Sequence, residues 1–168
     1  MNFIKQREIL LPITFLFLFS AAPSSEGVMF FFFTNHLHFS ALFMGQIKVI
    51  STLGNLIAIY IFHKFLRNIE FKTIFFYSAI LAILVYESQI ILLERYNLKL
   101  GIPDKVFALF DSFIIHLLKE INLLPILVLG CKICPKNIEA TMYAFITTVI
   151  NLGNLISLQL ESVLAYYL

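Results

Sequence analysis

Apolar residues fill the chain in long blocks, and polar positions collect in the short gaps between them. A membrane-spanning helix needs about 20 predominantly apolar residues. On that measure the pattern predicts five spans, at about residues 9–33, 40–62, 73–93, 105–130 and 140–163. The connectors, residues 34–39, 63–72, 94–104 and 131–139, are short, so consecutive helices should be antiparallel neighbours. The expected fold is all-α, a polytopic membrane helix bundle of about five transmembrane helices in one domain over residues 1–168.

The first block is interrupted at its middle by Ala21-Ala22-Pro23-Ser24-Ser25-Glu26-Gly27. Backbone freed by Pro or Gly inside a bilayer persists only where protein or water satisfies it. An ionisable residue at that depth marks a candidate functional site. Pro23, Ser24, Ser25 and Glu26 therefore predict a broken helix beside a polar cavity, with Glu26 a candidate binding group. Lys5, Arg7, the apolar run from Ile9 and Ser20-Ala21-Ala22 also fit a cleavable signal peptide. Cleavage would leave Val28–Phe33 too short to span, which favours the intact helix.

Composition fits a membrane protein. Of the 168 residues, 60% are hydrophobic and 13% charged, against about 25% charged in ordinary soluble domains. A net charge of +2 without a basic tract gives no basis for nucleic-acid binding. Lys5, Arg7, Lys64, Arg67, Lys72, Lys132 and Lys136 fall on one side of the predicted spans, and Arg95, Lys99 and Lys105 on the other. Seven against three predicts a cytoplasmic N-terminus. The plasma membrane and an organelle membrane are equally compatible with this reading. Cys131 and Cys134 form a lone Cys-x-x-Cys, and a zinc site would want a second pair of ligands. No metal and no cofactor are expected. Without a nucleophile–base pair or a phosphate-binding loop, no enzyme is expected either.

Polar residues recur inside the spans. Lys48, Ser51, Thr52 and Asn55 are spaced i, i+3, i+4, i+7, which places them on one helical stripe. The fifth span carries Thr147, Asn151 and Asn154, with Glu161 further along. Such stripes must face protein or water. Two readings stand for the Asn residues: hydrogen bonds between helices that Gly54 and Gly153 bring close, or the lining of a cavity. Lys48 points to an ion-paired or functional role, because a buried unpaired ammonium is costly. The fourth span is the most charged, with Asp111, His116, Lys119, Glu120 and Asn122 ahead of Pro125. At 100° per residue Asp111 and Asn122 share a face, and His116 and Glu120 share another. Pro125 removes one backbone bond and predicts a kink that could serve a gate. The alternative is an ion-pair network that holds the bundle together. The third span is mostly apolar and reads as a peripheral, lipid-facing helix.

The second and fifth spans echo each other. Leu53-Gly54-Asn55-Leu56-Ile57 recurs as Leu152-Gly153-Asn154-Leu155-Ile156, 99 residues later. Coincidence and an internal repeat of three helices both fit that interval. Major-facilitator transporters are built from inverted three-helix repeats.

Longer stretches resemble the folate–biopterin transporter family, a branch of the major facilitator superfamily. They are Ala22-Pro23-Ser24-Ser25 with Met29–Asn35, Leu100–Asp104 with Phe107–Ser112, Leu124–Leu129, and Cys134-Pro135 with Ile138–Thr141. Asn137 departs from the Gly expected in the Cys-Pro loop. The resemblance implies a carrier of twelve spans in two six-helix halves, of which this chain would supply spans seven to eleven. It would need the missing N-terminal half for a complete pathway. The implied function is transport of folates or related pteridines by alternating access, coupled to protons as a symporter. A carrier of another organic solute, and a non-transporting membrane fragment or subunit, are the alternatives. On this implied role Asp111 and Glu26 could accept hydrogen bonds from a pterin edge. Lys48 or Lys119 could meet an anionic glutamyl tail. His116, Asn55, Asn151 and Asn154 join them as candidate substrate-binding or proton-coupling residues.

Overall fold

The computed structural model describes residues 7–133 and 139–167, and among them every regular element is helical. α1 (Arg7–Ala21) ends at the Pro23 break, and α2 (Glu26–Phe31) follows and widens into a π turn, Phe32–His36. α3 (Ala41–Ile61) closes with a second π turn, Phe62–Leu66, and α4 (Phe71–Leu93) comes next. A short α5 (Tyr96–Lys99) lies in the connector to α6 (Asp104–Ile133), and α7 (Glu139–Tyr167) ends the chain. These elements follow the five predicted blocks. Four stretches among the described residues are long and apolar enough to cross a membrane: Leu10–His36, Ala41–Leu66, Phe71–Leu93 and Ala140–Leu164. α6 has 30 residues, about 45 Å at 1.5 Å per residue, so its length is ample. Asp111, Lys119 and Glu120 set it apart from the other four.

Local chemistry sets several boundaries. The Ser40 side chain accepts the Phe43 amide at 3.3 Å and caps α3. Pro103 precedes α6 and Asp104 occupies its first turn, where a carboxylate is favoured. The α4–α6 connector is tied together from within. Arg95, in the left-handed region at φ 59, pairs with Asp104 at 3.1 Å. Asn97, fully buried, donates to the Ile102 carbonyl at 3.0 Å and to Asp104 Oδ1 at 2.7 Å. Gly101 makes the turn at φ 76.

By internal packing the chain divides into two compact units, Met1–His38 with Ile126–Leu168, and Phe39–Pro125. In the first, α1 lies along α7. Ile13, Leu16, Met142 and Ile146 are buried there. The partners advance together, Ser20 facing Gly153, Ala22 facing Ser157 and Gly27 facing Glu161, so the two helices run parallel. A first and a fifth span must run parallel if the chain crosses alternately.

In the second unit α6 carries a line of buried residues at three- and four-residue spacing, Ala108, Asp111, Ile115, Leu118 and Pro125, with half-buried Asn122 in register. Ser78 Oγ of α4 donates to Asn122 Oδ1 at 2.6 Å, and Ser88 Oγ meets Asp111 Oδ1 at 2.7 Å. These pairs run in opposite directions along the two helices, so α4 and α6 are antiparallel. The third span is therefore only partly the lipid-facing helix expected. Its edge of Ile74, Ser78, Gln89 and Leu92 is buried, because polar groups on α6 need partners that lipid cannot supply.

α3 buries Ile47, Ser51, Gly54 and Ala58. A Cβ on Gly54 would stand 2.6 Å from the Phe113 carbonyl oxygen of α6. Backbone approach of that kind requires small residues, and it selects the Ser51–Gly54–Ala58 line over the polar stripe one residue away.

Candidate functional site

The break in the first span is the best-defined polar feature of the first unit. A helix that stops leaves its last carbonyls and the next helix leaves its first amides without partners. α7 supplies both. Ser157 Oγ donates to the Ala22 carbonyl at 2.6 Å, closing the end of α1. One turn further, the Glu161 carboxylate accepts from Gly27 N at 2.6 Å, from Val28 N at 3.1 Å and from Ser24 Oγ at 3.2 Å. Glu161 is 5% exposed. The local sequence explains the fit: Gly153, Ser157 and Glu161 recur every fourth residue, so small, hydroxyl and carboxyl groups stack on one side of α7. Gly27 leaves room for the acid, since a Cβ there would lie 3.1 Å from Glu161 Oε1.

This geometry relocates the acid of the break. Glu26 opens α2 and is exposed, while Glu161, on a distant stretch of sequence, occupies the polar interior. Ser24 is brought to Glu161; Pro23 is exposed and Ser25 half-buried at the start of α2. Asn151 and Asn154 are exposed on α7 and stand off the line that meets α1 and α2. The Asn–Glu stripe expected on this span therefore separates, because the close approach at Gly153 and the hydroxyl of Ser157 decide which side faces the break.

The centre of the second unit is Asp111, 5% exposed in the buried line of α6. Its partner Ser88 Oγ also lies 2.6 Å from the Val85 carbonyl. The hydroxyl has one proton and two short oxygen neighbours. With Asp111 ionised, Ser88 donates to it. With Asp111 protonated, the acid can donate to Ser88 Oγ while Ser88 turns to Val85. Either protonation state keeps the bonds of the Ser88 hydroxyl complete. Gln89, buried on the same edge of α4, is a second side-chain hydrogen-bond partner of Asp111.

The other α6 candidates spread around the helix. His116 Nδ1 lies 2.9 Å from the Ser112 carbonyl, its own previous turn, and Lys119 is exposed. Asn122 donates to the Leu118 carbonyl at 2.9 Å while accepting from Ser78. Pro125 is buried, and α6 runs on through it to Ile133, with the division between the two units at that residue. On α3, Lys48 is exposed and Asn55 half-buried beside the Gly54 crossing. A buried Lys48 is thus not what the structure shows, and Thr52 Oγ bonds back to the Lys48 carbonyl at 2.9 Å. Cys134 and Asn137 lie outside the described residues.

Sequence reasoning did not select Glu161, Ser157 or Ser88. One signal pointed to the first two: the fourfold spacing Gly153, Ser157, Glu161 on the span that shares the glycine echo. Demanding an acceptor for the free amides after Pro23 would have made the acid a candidate.

Comparison with known proteins adds a family. The model of the BT1 family matches residues 1–168. The chain is 34% identical over 165 residues to the folate-biopterin transporter of Synechocystis, which covers 98% of this chain and 33% of that protein. It is likewise 34% identical over 165 residues to folate transporter 2 of Plasmodium falciparum, covering 98% of this chain and 36% of that protein. Identity to the probable folate-biopterin transporter 6 of Arabidopsis thaliana is 30% over 159 residues, or 92% of this chain and 31% of that protein. The chain thus spans about a third of the length of these curated relatives. No solved structure matches it. Transporter names and long apolar helices together make this a chain of a multi-pass membrane protein.

Proposed function

Because the chain belongs to the BT1 family, we propose that it is part of a carrier that moves folates or related pteridines across a membrane. The carrier works by alternating access with proton coupling, on a major-facilitator plan, and this chain supplies five spans beginning from a cytoplasmic N-terminus. The observation that carries the reading is Asp111, a buried carboxylate midway along a membrane helix, held by the hydroxyl of a neighbouring helix. A carboxylate there can accept the paired N–H groups of a pterin edge. The Ser88 hydroxyl supports it in either protonation state, which suits a group that meets both a solute and a proton.

Lys48, Asn151 and Asn154 are exposed on membrane helices of this chain. Exposed polar groups in a bilayer need protein or water. We assign each, within its own unit, to a surface that meets the solute path or the remainder of the longer carrier, with Lys48 a cation for the anionic tail.

Folate uptake by the complete carrier, measured from acid to neutral pH, tests the reading. Asp111→Asn keeps the shape and the Ser88 contact but removes the charge. Uptake should fall at least tenfold and its dependence on pH should change. Unchanged uptake with unchanged pH dependence would remove Asp111 from the mechanism.

A further inference from the structure

Glu161 presents a buried acid whose described partners, all at the break, are hydrogen-bond donors. Two of those donors, Gly27 N and Val28 N, are backbone groups that cannot reverse. The described partners of Glu161 are the Gly27 and Val28 amides and the Ser24 hydroxyl, none of them a cation. What holds it is the break itself. Charge-assisted bonds to a carboxylate are about twice as strong as neutral ones, and a helix start favours a negative group.

We propose that Glu161 is a proton-binding residue of the transport cycle. Ionised, it fastens α2 to α7; protonated, it loosens its hold on α2. The proton enters on Oε2, which then donates to Ser24 Oγ, reversing the bond seen here at 3.2 Å. Oε1 becomes a neutral carbonyl oxygen and keeps the two amides by weaker bonds. The Pro23 break lets α2 move without dragging α1, whose end stays tied to Ser157. The other titratable groups on the elements packed against Glu161 are Glu26 at the start of α2, exposed, His36 at the end of the following π turn, and Arg7 and Glu8 at the far end of α1. The proposal rests on the proton-coupled reading above and names the residue through which the proton moves the helix.

The test uses the complete carrier in liposomes, with native cysteines replaced and spin labels at Val28→Cys and Leu158→Cys, both exposed positions. Distances between the labels are measured from pH 5 to pH 8. The expected result is one short distance at pH 8 and a second, longer population on acidification. Glu161→Gln imitates the protonated acid, so it should show the longer population at every pH. A distance that ignores pH, or a Glu161→Gln protein that keeps the wild-type alkaline distance, overturns the proposal.

Should that variant fail to fold, hydrogen exchange on the unsubstituted carrier decides. Protection of the Gly27 and Val28 amides, corrected for intrinsic rates, should drop at least tenfold at acid pH, and equal protection throughout overturns the idea. Folate uptake is followed on the same liposomes. A pH-dependent distance without folate uptake removes the solute assignment and leaves the latch. Uptake with a constant distance does the reverse.

Discussion

The two units of the chain use the same packing device and opposite polar devices. In each, the glycine of the Leu-Gly-Asn-Leu-Ile echo lies against the backbone of another helix. A Cβ on Gly54 would meet the Phe113 carbonyl and the Leu117 amide; a Cβ on Gly153 would meet the Phe17 carbonyl, the Ala21 amide and Ser20 Cβ. A phenylalanine carbonyl and the amide four residues on recur in both crossings. The carboxylates differ. Asp111 sits on an unbroken helix and is held by two side chains of α4, Ser88 and Gln89, that can reorient. Glu161 closes a broken helix through amides that cannot turn. A proton therefore meets side-chain partners that can reorient at Asp111, whereas at Glu161 it weakens two amide bonds that cannot. One acid can change state without moving the bundle, whereas the other couples its state to the position of α2.

The sharpest way to break this contrast is to remove each acid outright. Glu161→Leu leaves two amides and a hydroxyl without their acceptor, each worth about 1–3 kcal/mol when stranded in a low-dielectric interior. Asp111→Leu leaves Ser88, which still has the Val85 carbonyl, and strands one buried group, the Gln89 amide, so its cost should be that of a single lost partner, about 1–3 kcal/mol. Unfolding of the purified carrier in detergent should rank Glu161→Leu well below Asp111→Leu. Equal losses would mean that the two carboxylates are held alike, and the comparison would fail.

The glycine crossings give the next largest effect and a test of their likeness. Alanine at either position overpacks the contact, at a cost of about 1–3 kcal/mol. At Gly54 the obstacle is a backbone carbonyl 2.6 Å away, which moves only if α6 moves. At Gly153 the nearest atom is Ser20 Cβ at 2.7 Å. Ser20→Gly should therefore recover much of the stability lost in Gly153→Ala, measured by the same unfolding assay, and it should do nothing for Gly54→Ala. Rescue of neither would place the strain at Gly153 on the Phe17 carbonyl, making the two crossings alike in full.

Much of the helical layout could be read from the apolar blocks, because each is long, capped by polar gaps and bounded by physics as simple as bilayer thickness. The break after Ala21 was also legible, since Pro23 and Gly27 cannot sit unnoticed in a span. What answers the break was not. Glu161 lies more than 130 residues away in the chain, and periodicity places a residue on a face without saying which face meets which helix. The second span shows the same limit. The stripe of Lys48, Ser51, Thr52 and Asn55 was visible, yet Gly54 and Ala58 decided the buried line. Backbone proximity at small residues outweighed the polar pattern, and Lys48 turned outward. Ser88 on an apolar span gave no signal until Asp111 required a donor.

The smallest expected effect on stability concerns the polar residues that neither unit buries. Lys48, Asn151 and Asn154 make no described side-chain contact that holds a helix in place, and surface substitutions of that kind usually stay within about 0.5 kcal/mol. Lys48→Gln and the pair Asn151→Ala and Asn154→Ala should therefore leave unfolding unchanged. Their effect should appear in uptake. If these groups face the solute path, Lys48→Gln should raise the KM for folate more than it lowers the maximal rate, because a cation that meets an anionic tail contributes to binding. The Asn pair should act more weakly, as neutral hydrogen-bonding groups do. A loss of stability without a change in KM would show that these residues are packed against the rest of the carrier. The proposed roles would then rest on the two buried acids, one meeting the solute and the other governing the broken helix.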